Sequence, residues 1–181
     1  KTTNYLKSKG FSRYEISSYC LPCHASRHNR MYWSGSGWWG FGMGATSAPW
    51  GERFARPQTI MGYKKWVEDQ ENIELESSLI ANTSSKISLD ELLMIGLRRR
   101  EGVHLEELAK YSGWTDEKCN QNLNLLQTYW QDFLDKGFLK EKNGRFFLSD
   151  PHGMQISNQI LVQMFMWWDA VHLADVSEPS S

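Results

Sequence analysis

A chain of 181 residues holds one domain, or two small ones, with a buried core. Its 20 Lys and Arg against 21 Asp and Glu leave a net charge of −1, which excludes a global field drawing it to nucleic acid or an anionic membrane. No apolar run approaches the roughly 18 residues of a membrane span, and the odd set Cys20, Cys23 and Cys119 excludes a full disulfide framework and fits a reducing cytoplasm.

The opening Lys1-Thr2-Thr3-Asn4-Tyr5 has neither an initiator Met nor a signal-peptide pattern, so the chain reads as a piece beginning inside a larger protein. Lys1 to Lys9 fits the end of a helix, with Gly10 just beyond it. Phe11 to Tyr19 alternates and is rich in strand formers. Cys20 to Gly37 reads as a long loop, where scaffolds display chemistry, and it contains Arg27-His28-Asn29-Arg30-Met31-Tyr32-Trp33. Trp38 to Ala45 reads as a strand with Gly40, Gly42 and Gly44 on one face and Trp39, Phe41 and Met43 on the other. Ala48 to Gly62 is expected to connect, Gly62 to Asn72 to form a short helix, and Asn82 to Lys86 to be a polar linker and domain boundary.

Ser88-Leu89-Asp90-Glu91 is a capping box that opens a helix through Arg99, stopped near Gly102. His104 to Tyr111 predicts a short helix ending at Gly113, and Thr115 caps a longer one to about Lys136. Residues Gly137 to Leu148 predict a hairpin turned at Asn143-Gly144. Asp150-Pro151 then supplies an N-cap and a first-turn proline for a last helix to about Val171. Three helices, a hairpin and a helix describe a winged-helix-like domain. Its long third helix carries Asp116, Glu117, Asp132 and Asp135 against Lys118 and Lys136, the wrong balance for reading DNA. Arg98-Arg99-Arg100 is read as a solvated helix end, and Phe165, Trp167 and Trp168 as core or interface packing.

Several motifs together resemble the oxygen-independent coproporphyrinogen III oxidase-like radical S-adenosylmethionine family. They are Tyr14-Glu15-Ile16-Ser17-Ser18-Tyr19, His28-Asn29 with Tyr32-Trp33, and Gly40-Phe41-Gly42-Met43-Gly44-Ala45-Thr46-Ser47. The likeness continues through Glu91 to Arg98, Glu101-Gly102-Val103 and Gly153 to Leu161. The His-Asn-x-x-Tyr-Trp signature is similar to the HemW-like haem chaperone branch. The resemblance implies an α/β plus α+β fold: the C-terminal part of a partial (β/α)6 radical SAM barrel, then the winged-helix-like domain. Residues 1–62 would be the last strands and loops of the barrel, 63–85 a connecting helix and linker, 86–171 the winged-helix-like domain and 172–181 a disordered tail. It also implies a 4Fe-4S cluster and S-adenosyl-L-methionine in the whole protein, a cytoplasmic location, and haem and haemoprotein clients as partners. Peripheral membrane association through a client and a homodimer are left open. The family's Cys-x3-Cys-x2-Cys motif is missing, so no 4Fe-4S ligand lies in this chain and no catalysis is expected from it alone.

On that resemblance His28 would ligate haem iron, while Asn29, Tyr32 and Trp33 shape its pocket and Arg27 or Arg30 pairs with a propionate. The competing reading has His28 and Asn29 merely tying down a barrel-end loop. Tyr14 is a weaker candidate contact to S-adenosylmethionine, against plain strand packing. Cys20-Leu21-Pro22-Cys23-His24 matches the haem-attachment pattern C-x-x-C-H, but nothing in the chain indicates export, and ordinary loop cysteines are the preferred reading. The alternatives to a chaperone are a coproporphyrinogen III dehydrogenase and, outside the family, a winged-helix interaction module.

Overall fold

Leu89, Leu92, Leu93 and Ile95 recur at helical spacing and are all buried, so the segment that opens the second half of the chain folds around one apolar face. The protein is described here by a computed structural model covering residues 1–49, 54–76 and 87–177. It forms two compact units, Lys1–Ser34 with Ser88–Ser181, and Gly35–Ile87. The boundary expected at Asn82 to Lys86 lies outside the described residues.

In chain order the elements are α1 (Thr2–Ser8), β1 (Ser12–Arg13), β2 (Tyr19–Cys20) and α2 (Arg27–Trp33). The second unit contributes β3 (Thr46–Ser47), β4 (Phe54–Ala55) and α3 (Ile60–Glu76). The first unit resumes with α4 (Leu89–Gly96), β5 (Val103–His104), α5 (Leu105–Tyr111) and α6 (Asp116–Asp135). It closes with β6 (Leu139–Lys142), β7 (Arg145–Leu148), α7 (His152–Gln155) and α8 (Ser157–Ser177). Helices and small sheets thus mix along the chain, and the sheet of the second half has the order β5-β7-β6, all antiparallel.

The first unit's core lies between α4, α6, α8 and that sheet. Leu93, Leu126, Trp130, Ile160, Met164 and Trp167 are completely buried, each worth roughly 1.5–3 kcal/mol of apolar transfer. Two buried indoles need partners for their N–H groups, and both have one. Trp130 donates to the Ile160 carbonyl at 3.2 Å and Trp167 to that of Asn122 at 2.9 Å. These bonds fix α6 against α8. Thr115 caps α6 through the Lys118 N–H, and the β6–β7 turn takes φ 54° at Asn143 and 75° at Gly144, as the Asn-Gly pair requires. Trp167 is core as expected, whereas Phe165 is partly exposed.

Several elements depart from the sequence expectations. Phe11 to Tyr19 is not one strand: β1 and β2 pair with each other, while the residues between them turn toward Arg98–Arg100. The Cys20–Gly37 loop contains the helix α2, because Ser26 supplies an N-cap by accepting from the Asn29 N–H. Trp38 to Ala45 is not a strand either. Gly42 and Gly44 sit at φ 88° and 67°, a left-handed backbone that reverses the chain, and only Trp38 keeps a bridge, to Ala48. No parallel strand pair occurs among the described residues.

α3 begins at Ile60, and α4 stops at Gly96 rather than Arg99. Ser88 occupies the N-cap position of α4 without a side-chain cap bond. The last helix is interrupted after α7. Asp150 is not its cap, since its carboxylate pairs with Lys7 at 2.9 Å and Arg13 at 3.5 Å, and Ser149 Oγ accepts the Gly153 N–H instead. α8 then runs to Ser177, into the stretch expected to be a disordered tail.

Candidate functional site

The His-Asn-x-x-Tyr-Trp signature becomes intelligible once it is helical. Residues four apart share a face of a helix, so His28 lies above Tyr32 and Asn29 above Trp33. The second pair faces the body of the first unit. Asn29 Nδ2 donates to the Tyr14 hydroxyl at 3.2 Å, and the Arg98 guanidinium lies 4.5 Å from the centre of the Trp33 ring. Tyr32 meets Trp33 edge to face with ring centres 4.5 Å apart. His28 differs: it is exposed, and among the described residues no hydrogen bond holds its imidazole. Met31, three residues on, is half exposed at 50%.

What Tyr14 and Arg98 hold is itself held by backbone pairing. Ile16 donates its N–H to the Arg98 carbonyl at 3.0 Å, and Arg100 donates to the Tyr14 carbonyl at 3.1 Å. Two segments about eighty residues apart in sequence thus form one platform under α2. Arg98 and Arg99 are half-buried in it rather than solvated, which corrects the reading of the arginine run. Burial pulls the Arg99 guanidinium below its usual pKa, and the nearby Glu101 carboxylate opposes that shift. Glu15, only 2% exposed, accepts from the Ser17 N–H and hydroxyl through Oε1, while its Oε2 has no partner.

Beside α2 opens a cleft of about 470 Å³ lined by Arg13, Tyr14, Cys20, Cys23, Arg30, Arg100 and Glu101 among others. Arg30 closes one edge by pairing with Glu101 at 2.9 Å. Arg13 is committed to the interior: it donates to Thr3 at 2.8 Å and to the Tyr19 hydroxyl, and pairs with Asp150. The Arg100 guanidinium is exposed and has no partner among the described residues. Of the sequence candidates, Tyr14, Arg30, Cys20 and Cys23 line this cleft, whereas His28, Asn29, Tyr32 and Trp33 do not.

The exposed His28 imidazole would offer haem iron one ligand, and the exposed Arg27 next to it would pair with a carboxylate. The donor set does not fit a 4Fe-4S cluster. Cys119 is buried in α6, and no group of three or more His, Cys, Asp or Glu gathers among the described residues. Sequence reasoning missed Arg98, Glu101 and Arg100 as neighbours of the signature. The one signal for them is that Gly96-Leu97-Arg98 and Glu101-Gly102-Val103 belong to the same set of family motifs as His28. No described helix is long and apolar enough to cross a membrane.

No family model and no solved structure gives a significant match. Among curated proteins, the chain is 34% identical over 171 residues to the haem chaperone HemW of Synechocystis, covering 88% of this chain and 41% of that protein. It is 28% identical over 156 residues to HemW of Lactococcus lactis, covering 80% of this chain and 40% of the relative. It is also 28% identical over 163 residues to a mitochondrial radical S-adenosyl methionine domain-containing protein 1 of Danio rerio, covering 87% of this chain and 34% of that one. The chain therefore spans about two fifths of the first two relatives' length. Matches that run through most of the chain place it: the chain belongs to the HemW-like radical S-adenosylmethionine family.

Proposed function

We propose that the chain is the C-terminal portion of a haem chaperone that binds haem and hands it to haemoprotein clients. The observation that carries this reading is the exposed imidazole of His28, presented by a short helix that Asn29 and Trp33 fasten to Tyr14 and Arg98. A chaperone needs a ligand that grips iron yet lets go. One imidazole on an open surface would meet that need better than an enclosed pocket with two ligands. His28 would hold the iron, Tyr32 and Met31 would lie along the same helical face, and Arg27 would pair with a propionate. Asn29 and Trp33 would act indirectly, by setting the orientation of α2. Haem is the cargo here and supplies no chemistry to the chain.

The expected barrel and winged-helix parts belong to the same proposal. The order α4, β5, α5, α6, β6, β7 with the sheet order β5-β7-β6 supports a winged-helix-like second half. A barrel origin for residues 1–62 rests on the family alone, as do the whole protein's 4Fe-4S cluster, S-adenosylmethionine, cytoplasmic location and homodimer. The weaker role of Tyr14 toward S-adenosylmethionine stays part of this proposal, and its hydrogen bond to Asn29 supports a positioning role beside it. On α8 the exposed Val162, Phe165, Met166 and Leu173 recur at helical spacing and support a protein-facing surface for a client.

Transfer is the property to test. The haem-loaded chain is mixed with an apo-haemoprotein such as apomyoglobin, and the acceptor's Soret band is followed. The expected result is complete transfer within minutes. Haem retained by the chain after prolonged mixing with excess acceptor contradicts a chaperone role.

A further inference from the structure

The cleft beside α2 is lined by two thiols that the haem reading does not use. Cys20 is half-buried at the end of β2, where its strand pairs it with Ser12, and Cys23 is exposed. Between them the His24 N–H bonds back to the Leu21 carbonyl at 3.0 Å, with Pro22 at the second corner of the turn. Cys23 takes the third corner at φ 66°. This is the arrangement of a type II turn, whose third corner is ordinarily glycine because side chains rarely adopt that backbone. The His24 ring nitrogen Nδ1 lies 2.7 Å from the Pro22 carbonyl and ties the turn further. A thiol held where glycine belongs, at the mouth of a cleft shared with a second thiol, calls for a chemical reason.

The cleft also selects by charge. Arg13, Arg30 and Arg100 line it; Arg13 is paired with Asp150 and Arg30 with Glu101, and the Arg100 guanidinium is left without a partner among the described residues. An anionic reactant is therefore favoured. No third ligand completes a metal site among the described residues, and C-x-x-C is the spacing of exchange dithiols.

We propose that Cys20 and Cys23 form a thiol–disulfide exchange site for small anionic disulfides, of which glutathione disulfide is the type. Cys23 Sγ, as thiolate, attacks one sulfur of the disulfide, whose S–S bond breaks and releases one small thiolate. Cys20 Sγ then attacks the sulfur of Cys23 in that mixed disulfide, releasing the second. The two cysteine protons end on the two small thiols. The chain loses two electrons and the reactant gains them, so one dithiol and one disulfide give one protein disulfide and two thiols. The site does not depend on haem binding by His28, which lies outside the cleft.

The test uses the reduced 181-residue chain with glutathione disulfide, quenched in acid and read by intact mass. Wild type should end two hydrogens lighter, with no retained glutathione and Cys119 still free. Cys20→Ser should accumulate one glutathione on Cys23, and Cys23→Ser should react far more slowly. With each rate divided by that of free cysteine, the neutral hydroxyethyl disulfide should lag by about tenfold or more, and the double variant Arg30→Gln, Arg100→Gln should erase most of that gap. A wild type that stays reduced, or that keeps a stable adduct, overturns the exchange site. Equal normalised rates for the charged and neutral disulfides overturn the anion selectivity.

Discussion

At the scale of the residue, neighbouring side chains of one short helix divide their work. Asn29 satisfies its amide on the Tyr14 hydroxyl and Trp33 offers its ring to Arg98, whereas His28 is exposed and unbonded among the described residues. Asn29→Ala should cost about 0.5–1.5 kcal/mol in chemical denaturation, the worth of an ordinary hydrogen bond. A loss several times larger would show that Asn29 has partners beyond Tyr14. Cys23→Gly should act the other way. Relief of the left-handed backbone, less the extra entropy of an unfolded glycine, should stabilise by about 0.5–1 kcal/mol. Burial pushes the Cys119 thiol up, so it stays protonated in the folded state above the pH at which a free thiol ionises. Its contribution to stability is therefore full below the ordinary thiol value and falls as pH rises beyond it. Alkylation at mildly alkaline pH should accordingly modify Cys23 and spare Cys119.

At the scale of the element, what the sequence revealed depended on whether the signal was local. The Asn143-Gly144 turn and the Thr115 cap are decided by neighbours a few residues away, and both appear as expected. α2 was hidden because its cap, Ser26, lacks the glutamate three residues on that would have marked a capping box, and because Gly35 and Gly37 after it resemble loop. The glycine run at 40–44 alternates like a strand, yet its function is a turn, and parity cannot tell the two apart. Arg98–Arg100 looked like a charged helix end since nothing nearby announces that Tyr14–Ile16 will pair with it. Gly102 shows how tightly that region closes. Its φ is 66°, and a Cβ there would lie 2.0 Å from the Phe146 carbonyl oxygen. Gly102→Ala should destabilise by about 2–4 kcal/mol, measured as a lowered denaturation midpoint. By contrast the Arg30–Glu101 pair is half exposed on both sides, and Glu101→Ala should cost under about 1 kcal/mol.

At the scale of the whole molecule, the family was legible from the motifs and the candidate site was not. Sequence motifs brought His28, Asn29, Tyr32 and Trp33 together as one cluster, but only the helix separates the exposed His28 from the anchored Asn29 and Trp33. The platform joins Tyr14 and Arg98 across more than eighty residues, so the first 34 residues form one unit with the second half. Composition could not reveal this, because contact between distant segments leaves no local trace. Membership of the HemW-like family and the exposed imidazole are what support the proposal of haem as cargo. That proposal is tested most directly by titrating hemin into wild type, His28→Ala and His24→Ala and following the Soret band. The account predicts that His28→Ala weakens binding by at least about tenfold, while His24→Ala stays within about twofold of wild type. Unchanged affinity in His28→Ala, or a loss confined to His24→Ala, would contradict it.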